Sequence, residues 1–178
     1  MKYISSIFST GAVRKTPKRI IKKILSEIDG DGGNGIIEFG SGKGEITAQL
    51  RQRSEGKMAK PPYYAFEIDE RFAKELQSRL PDVDVISGDA FSFEHLIPDS
   101  FRPDYIISSI PLSFYPLTKR IEFIGRLKQR LNQNGKLIVL YHAFWLNSTF
   151  NKVIPGFKVR SFATIPPYFL MVYESKRD

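Results

Sequence analysis

The chain has no cysteine among its 178 residues. Disulfide scaffolds, cysteine-ligated zinc and thiol chemistry are therefore excluded, and a reducing cytoplasm is compatible with the composition. No metal is expected. No apolar run approaches the roughly 18 residues that span a bilayer. The first residues, Met1-Lys2-Tyr3-Ile4-Ser5-Ser6-Ile7-Phe8, lack a long apolar stretch and a small-residue cleavage site, so no signal peptide is read. Internal repeats and low-complexity tracts are also missing. Of the two histidines, His95 follows Phe91-Ser92-Phe93-Glu94 in an expected surface loop and is given no role.

What remains is a folded, basic chain. A hydrophobic fraction of 42% and an aromatic fraction of 13% suit a packed core rather than disorder. The length suits a single domain over residues 1–178. The net charge is +8. Arg14, Lys15, Lys18, Arg19, Lys22 and Lys23 crowd one region. Such a surface favours polyanions, either nucleic acid or an anionic membrane face.

Strand-like and helix-like segments alternate, which predicts an α/β architecture. Residues 17–28 read as a helix with Ile20, Ile24 and Ile28 on one face and Pro17 in its first turn. Residues 35–39 read as a strand, 45–53 as a helix and 63–68 as a strand. Asp69 caps a helix in which Phe72, Leu76 and Leu80 recur every four residues. Residues 83–86 and 105–108 read as short strands. A helix from Leu117 ends near Asn134-Gly135, and Lys136–Tyr141 is an apolar strand suited to a sheet centre. A short helix within 142–153 and a closing strand pair, 157–164 and 169–174, complete about seven strands in a doubly wound, mostly parallel sheet. The ligand is expected at the carboxyl ends of the strands, where the strand order reverses.

The most informative segment is Glu38-Phe39-Gly40-Ser41-Gly42-Lys43-Gly44, between a strand and a helix. Its spacing is not that of a dinucleotide turn or of a P-loop. An acid two residues before the first glycine repels phosphate but suits a cationic ligand. S-adenosylmethionine carries a sulfonium and an α-ammonium. Glu67 ends the second strand, where a carboxylate can accept both ribose hydroxyls. Asp89 follows the third strand and can accept an adenine amino group, with Ala90 and Phe91 walling the ring. The expected cofactor site is Glu38, Gly40, Ser41, Gly42 and Gly44, with Glu67 and Ile68, with Gly88, Asp89 and Ala90, and with Ser108 at the end of the fourth strand.

Residues 17–174 resemble the class I S-adenosylmethionine-dependent methyltransferases. The resemblance implies a Rossmann-like, seven-stranded sheet with the last strand antiparallel. It also implies that the methyl acceptor is presented just after the fourth strand, at Ser109, Ile110, Pro111 and Leu112. Adenine amine methylases carry Asn or Asp, any residue, Pro and an aromatic there, and the aromatic stacks on a base. Here Ser109 and Leu112 stand at the Asn and aromatic positions, and the appended helical RNA-binding region of the ribosomal RNA adenine dimethylases has no counterpart. Ser-Ser-Ile-Pro-Leu is more similar to bacterial phosphatidylethanolamine N-methyltransferases. So are Gly11-Ala12-Val13 with Pro17, and Thr164-Ile165-Pro166-Pro167-Tyr168. This similarity implies a phospholipid amine as acceptor and a cytoplasmic enzyme peripheral at the inner membrane face. Residues 1–16 would be its basic and apolar membrane segment. Ile4, Ile7 and Phe8 would enter the interface, while Arg14 and Lys18 meet head groups. The alternatives are an RNA adenine N-methyltransferase and a non-catalytic binder on the same fold.

An amine nucleophile must be neutral before attack. Tyr115, Tyr141 and His142 are the candidate helpers near strand ends. His142 can act as a base near neutral pH, and the tyrosines can wall the pocket or hold methylated ammonium by cation–π contact.

Overall fold

Strand β1 (Ile36–Phe39) is buried along its whole length, because it lies mid-sheet with helices over both faces. Parallel strands flank it: β2 (Tyr63–Glu67) on one side and β4 (Tyr105–Ser108) on the other. Beyond β2 lies β3 (Asp84–Ser87), and beyond β4 lies β5 (Lys136–Tyr141). Strand β7 (Tyr168–Glu174) pairs antiparallel with β5, and β6 (Lys158–Phe162) pairs antiparallel with β7 as the outer edge. The order is β3-β2-β1-β4-β5-β7-β6, so it reverses between β1 and β4. The computed structural model describes residues 16–30 and 32–176. Arg14 and most of the expected membrane segment lie outside the described residues.

Helices cover both faces. The first, α1 (Lys18–Ser26), buries Ile20, Ile21, Ile24 and Leu25 and turns its lysines outward, as its sequence period requires. With α2 (Glu45–Arg53) and α3 (Glu70–Arg79) it covers one face, built around Ile36, Tyr63, Ala65, Leu76, Ile138 and Leu170. Asp69 caps α3 by accepting from the Arg71 N–H. The other face carries α4 (Leu117–Arg130), α5 (Leu146–Val153) and a 3₁₀ segment, Ala90–His95, over Phe39, Phe66, Phe123, Leu137 and Val139. A second 3₁₀ turn, Leu112–Phe114, follows β4.

Element order, sheet direction and the antiparallel close agree with the sequence expectations. Ala90–His95 departs from the expected loop. Asp89 caps it through the Phe91 N–H, and Phe93 is buried against Phe39 and Phe123, which turns a polar stretch into ordered structure.

Candidate active site

At the carboxyl ends of β1, β2, β4 and β5, a cavity of about 900 Å³ opens. The turn between β6 and β7, through Thr164, Ile165 and Pro166, closes one side, and Thr16 and Pro17 close another.

The glycine turn forms its floor. Gly40 and Ser41 donate their N–H groups to the Phe66 carbonyl (2.9 and 3.1 Å). Gly42 donates to Glu67 Oε2 at 2.7 Å, and the Asp69 N–H donates to Glu67 Oε1 at 2.9 Å. These turn donors are thus spent on β2 rather than offered to an anion, which agrees with the exclusion of a phosphate loop. Each Glu67 oxygen accepts one bond and keeps a second lone pair for a hydroxyl. Gly42 has φ +55° and its missing side chain would meet nothing within 4 Å, so a ligand can approach there. Gly44 differs. It caps α2 in the left-handed region, and a Cβ would collide with Leu76, so it serves packing and does not line the cavity.

Glu38 is 1% exposed. Its Oε2 accepts from Thr47 Oγ1 at 2.6 Å and from the Tyr63 hydroxyl at 2.5 Å. Burial pushes its carboxyl up to about 7, against the opposing pull of those two donors. Burial likewise raises Tyr63 well above the ordinary phenol value. A cationic ligand at the cavity floor would favour the ionised carboxylate.

Ile68, Gly88, Asp89 and Ala90 line the cavity beside Glu67. Ser108 does not. It is wholly buried in the core, and its hydroxyl meets no partner among the described residues. Side chains alternate along a strand, so the next residue, Ser109, faces the cavity instead. Ser109 Oγ donates to the Gly40 carbonyl at 2.8 Å, which ties the acceptor segment to the glycine turn. Ile110, Pro111 and Leu112 line the cavity, but Leu112 is only 1% exposed. Lys18 is exposed outside the lining.

Tyr115, Tyr141 and His142 all reach the cavity. Burial pushes the Tyr141 hydroxyl up to about 12, and that hydroxyl donates to Asn147 Oδ1. Burial also raises Tyr115, which packs on Phe91 at 4.4 Å between ring centres. Both phenols hold their protons at neutral pH, which suits walls rather than bases. His142 Nδ1 lies 2.7 Å from the Pro167 carbonyl. A carbonyl only accepts, so Nδ1 carries the hydrogen and Nε2 of the neutral ring is an acceptor. Phe114, a lining aromatic that is 56% exposed, carried no sequence signal of its own. Tyr168, which closes the Thr164–Tyr168 stretch, also lines the cavity, with its ring 4.0 Å from that of His142.

The model of the ribosomal RNA adenine dimethylase family matches residues 15–111. The chain belongs to that family. A relative, ribosomal RNA small subunit methyltransferase A of a Synechococcus strain, is 28% identical over 127 residues, covering 69% of this chain and 43% of that protein. The chain spans about half the length of the curated relatives it matches. An rRNA methylase from Streptococcus thermophilus superposes with a TM-score of 0.64 at 19% identity, over 93% of this chain and all of that one. A Streptococcus mutans protein solved with S-adenosylhomocysteine (TM-score 0.62, 16% identity) covers 90% of this chain and 98% of its own. The chain carries the fold of the class I S-adenosylmethionine-dependent methyltransferases.

The cavity fits that cofactor. Carboxylates stand near the ends of β1 and β2 and just after β3, the floor is open at Gly42, and the N–H groups of Gly40, Ser41 and Gly42 are already taken by β2. When bound, S-adenosylmethionine supplies an electrophilic methyl group on its sulfonium. The match ends at Pro111, within the acceptor segment. The similarity to phosphatidylethanolamine methyltransferases finds no support here: the matching family and two of these three relatives are ribosomal RNA methylases.

Proposed function

We propose that this methyltransferase acts on RNA and methylates the exocyclic amine of adenine. The observation that carries this reading is Phe114. The family's motif would put its stacking aromatic at position 112, yet Leu112 is buried. Phe114, two residues on, lines the cavity with more than half its surface exposed, next to Tyr115. A flat base can stack there, and stacking contributes about 1–3 kcal/mol per base. Ser109, fixed to the glycine turn by its own proton, keeps oxygen lone pairs that can accept from the target amine. The protein's part is alignment and exclusion of water. A lipid amine would need no flat platform beside the acceptor segment.

The test is label transfer from methyl-labelled S-adenosylmethionine into RNA and, separately, into vesicles of phosphatidylethanolamine and phosphatidylglycerol, with nucleoside analysis of the RNA product. Methylated adenine is expected. Phe114→Ala should lower turnover on RNA about 10- to 100-fold, as the stacking range implies, with cofactor affinity intact. Label confined to the lipid extract would overturn the proposal in favour of the phospholipid acceptor.

A further inference from the structure

Five cations occupy one corner of the molecule. Lys18, Arg19 and Lys22 lie on α1 and are exposed. Residues three and four apart on a helix are neighbours, so the three form one flank. That flank faces the edge strand, because Arg19 Nη2 donates to the Ala163 carbonyl at 2.8 Å, just past the end of β6. Lys158 and Arg160 lie on β6 and are exposed. Their pairing partners across the ladder are Val172 and Leu170. Directly paired residues share a face of the sheet. Leu170 and Val172 pack with Ile20, Ile21 and Ile24 of α1. Lys158 and Arg160 therefore stand on the α1 side of the sheet, the side that also carries the helix cations.

None of the five forms an ion pair among the described residues, whereas other cations nearby do. Lys23 pairs with Glu27 and Lys136 with Asp29. Glu27 and Asp29 thus sit toward the far end of α1, as does the exposed Glu174, two residues from Val172 on the same face of β7, so the strip is positive from Lys158 toward the cavity end. Its direction also matters. Strand β6 runs toward the cavity end of the sheet, where Thr164 and Ile165 line the cavity, and α1 begins just after the lining residues Thr16 and Pro17. The strip therefore starts at the cavity mouth and leads away from it.

We propose that the cation strip on α1 and β6 is the track for the phosphate backbone of the RNA substrate, feeding the target base into the cavity. This rests on the RNA reading above. Phosphate contacts set register and orientation, and their removal weakens binding in a salt-dependent way. A row of positive charges with no carboxylate paired to it among the described residues loses little on meeting phosphates. An edge strand also needs charge against self-pairing, and a lone lysine suffices for that. Two cations aligned with three from another element exceed that need.

The experiment compares the full chain with a Lys22→Gln, Lys158→Gln, Arg160→Gln triple variant. Binding of a labelled single-stranded RNA is measured across a salt series, beside cofactor affinity and thermal stability. For the variant, the slope of log affinity against log salt should fall by about 2, from roughly 0.7 per lost phosphate contact. Affinity at low salt should drop at least about tenfold, and cofactor affinity and melting temperature should stay in place. An unchanged slope in a chain that still binds and methylates RNA would overturn the track and leave the cations as guards of the strand edge. If the wild-type chain binds phosphatidylglycerol vesicles through these residues and no RNA, both the track and the RNA reading fall.

Discussion

The Tyr63 hydroxyl donates a 2.5 Å hydrogen bond to Glu38 Oε2 beneath the glycine turn. Register allows it: Glu38 is paired with Ala65, two residues on from Tyr63, and Thr47 closes the other side at 2.6 Å. The clamp orients a carboxylate that burial pushes up to about 7.

A first prediction concerns pH. The folded chain holds the Glu38 proton up to about 7, whereas the unfolded chain releases it near 4.5. The folded state binds more protons between those values, so stability falls as pH rises through that window, by about 3 kcal/mol. Glu38→Gln should flatten this slope in thermal melts. Cofactor binding carries the opposite sign, because a cation favours ionised Glu38. Affinity should rise with pH up to about 7 and then level, with a proton released on binding. Tyr63→Phe removes a donor to the ionised form, so the midpoint should move to higher pH. Calorimetric titrations in buffers of different ionisation enthalpy read both effects. A pH-independent affinity would exclude Glu38 from the cofactor's charge balance.

The two glycines at the end of the turn should behave differently. At Gly44, a Cβ would collide with Leu76 and lie 2.9 Å from Arg79 Nη2, and φ is +75°. Gly44→Ala should lose about 2–5 kcal/mol, by adding overpacking to left-handed strain. At Gly42, φ is +55° but the space is open. Gly42→Ala should cost only about 1–2 kcal/mol of stability and lower cofactor affinity more than its stability loss implies. Denaturant melts and cofactor titrations separate the two. Equal stability losses would mean that the turn, not its packing on α3, sets the demand for glycine.

The positions of the acids, the turn and the succession of elements were legible because their signals are local: a polar residue ending an apolar run, glycines between strand and helix, periods of two and near four. Ser108 and Leu112 show where locality ends. Each follows an expected motif, yet Ser108 is turned into the core by strand parity and Leu112 is buried by the 3₁₀ turn after Pro111. Phe114 carries no motif of its own, and only the path of that turn brings it to the cavity. The clamp on Glu38 joins residues 9 and 25 positions away and needs the sheet register to be seen. The track on α1 and β6 joins segments 144 residues apart, from Arg19 to Ala163.

Glu67 is held by two backbone donors, Gly42 and Asp69. Glu67→Gln keeps the shape but sets an amide N–H₂ against one of those donors. The expected outcome is a stability loss of about 1–3 kcal/mol and at least a tenfold fall in cofactor affinity, both read by melts with and without cofactor. Unchanged affinity would show that the ribose is bound elsewhere.

His142 joins the end of β5 to the loop before β7 through the Pro167 carbonyl, and its ring rests on Tyr168. It is exposed, and neither nitrogen faces a described carboxylate that would orient it as a base. Its expected role is to hold the Tyr168 wall. His142→Ala should then lower kcat/KM for RNA about tenfold, or about 1.4 kcal/mol, chiefly through KM. An asparagine side chain offers an N–H near the Nδ1 position, so His142→Asn should restore most of that loss. A base behaves otherwise. Removing it would lower kcat, abolish the acidic limb of the pH–rate profile, and leave asparagine no better than alanine. Steady-state rates of the three proteins across pH decide between wall and base.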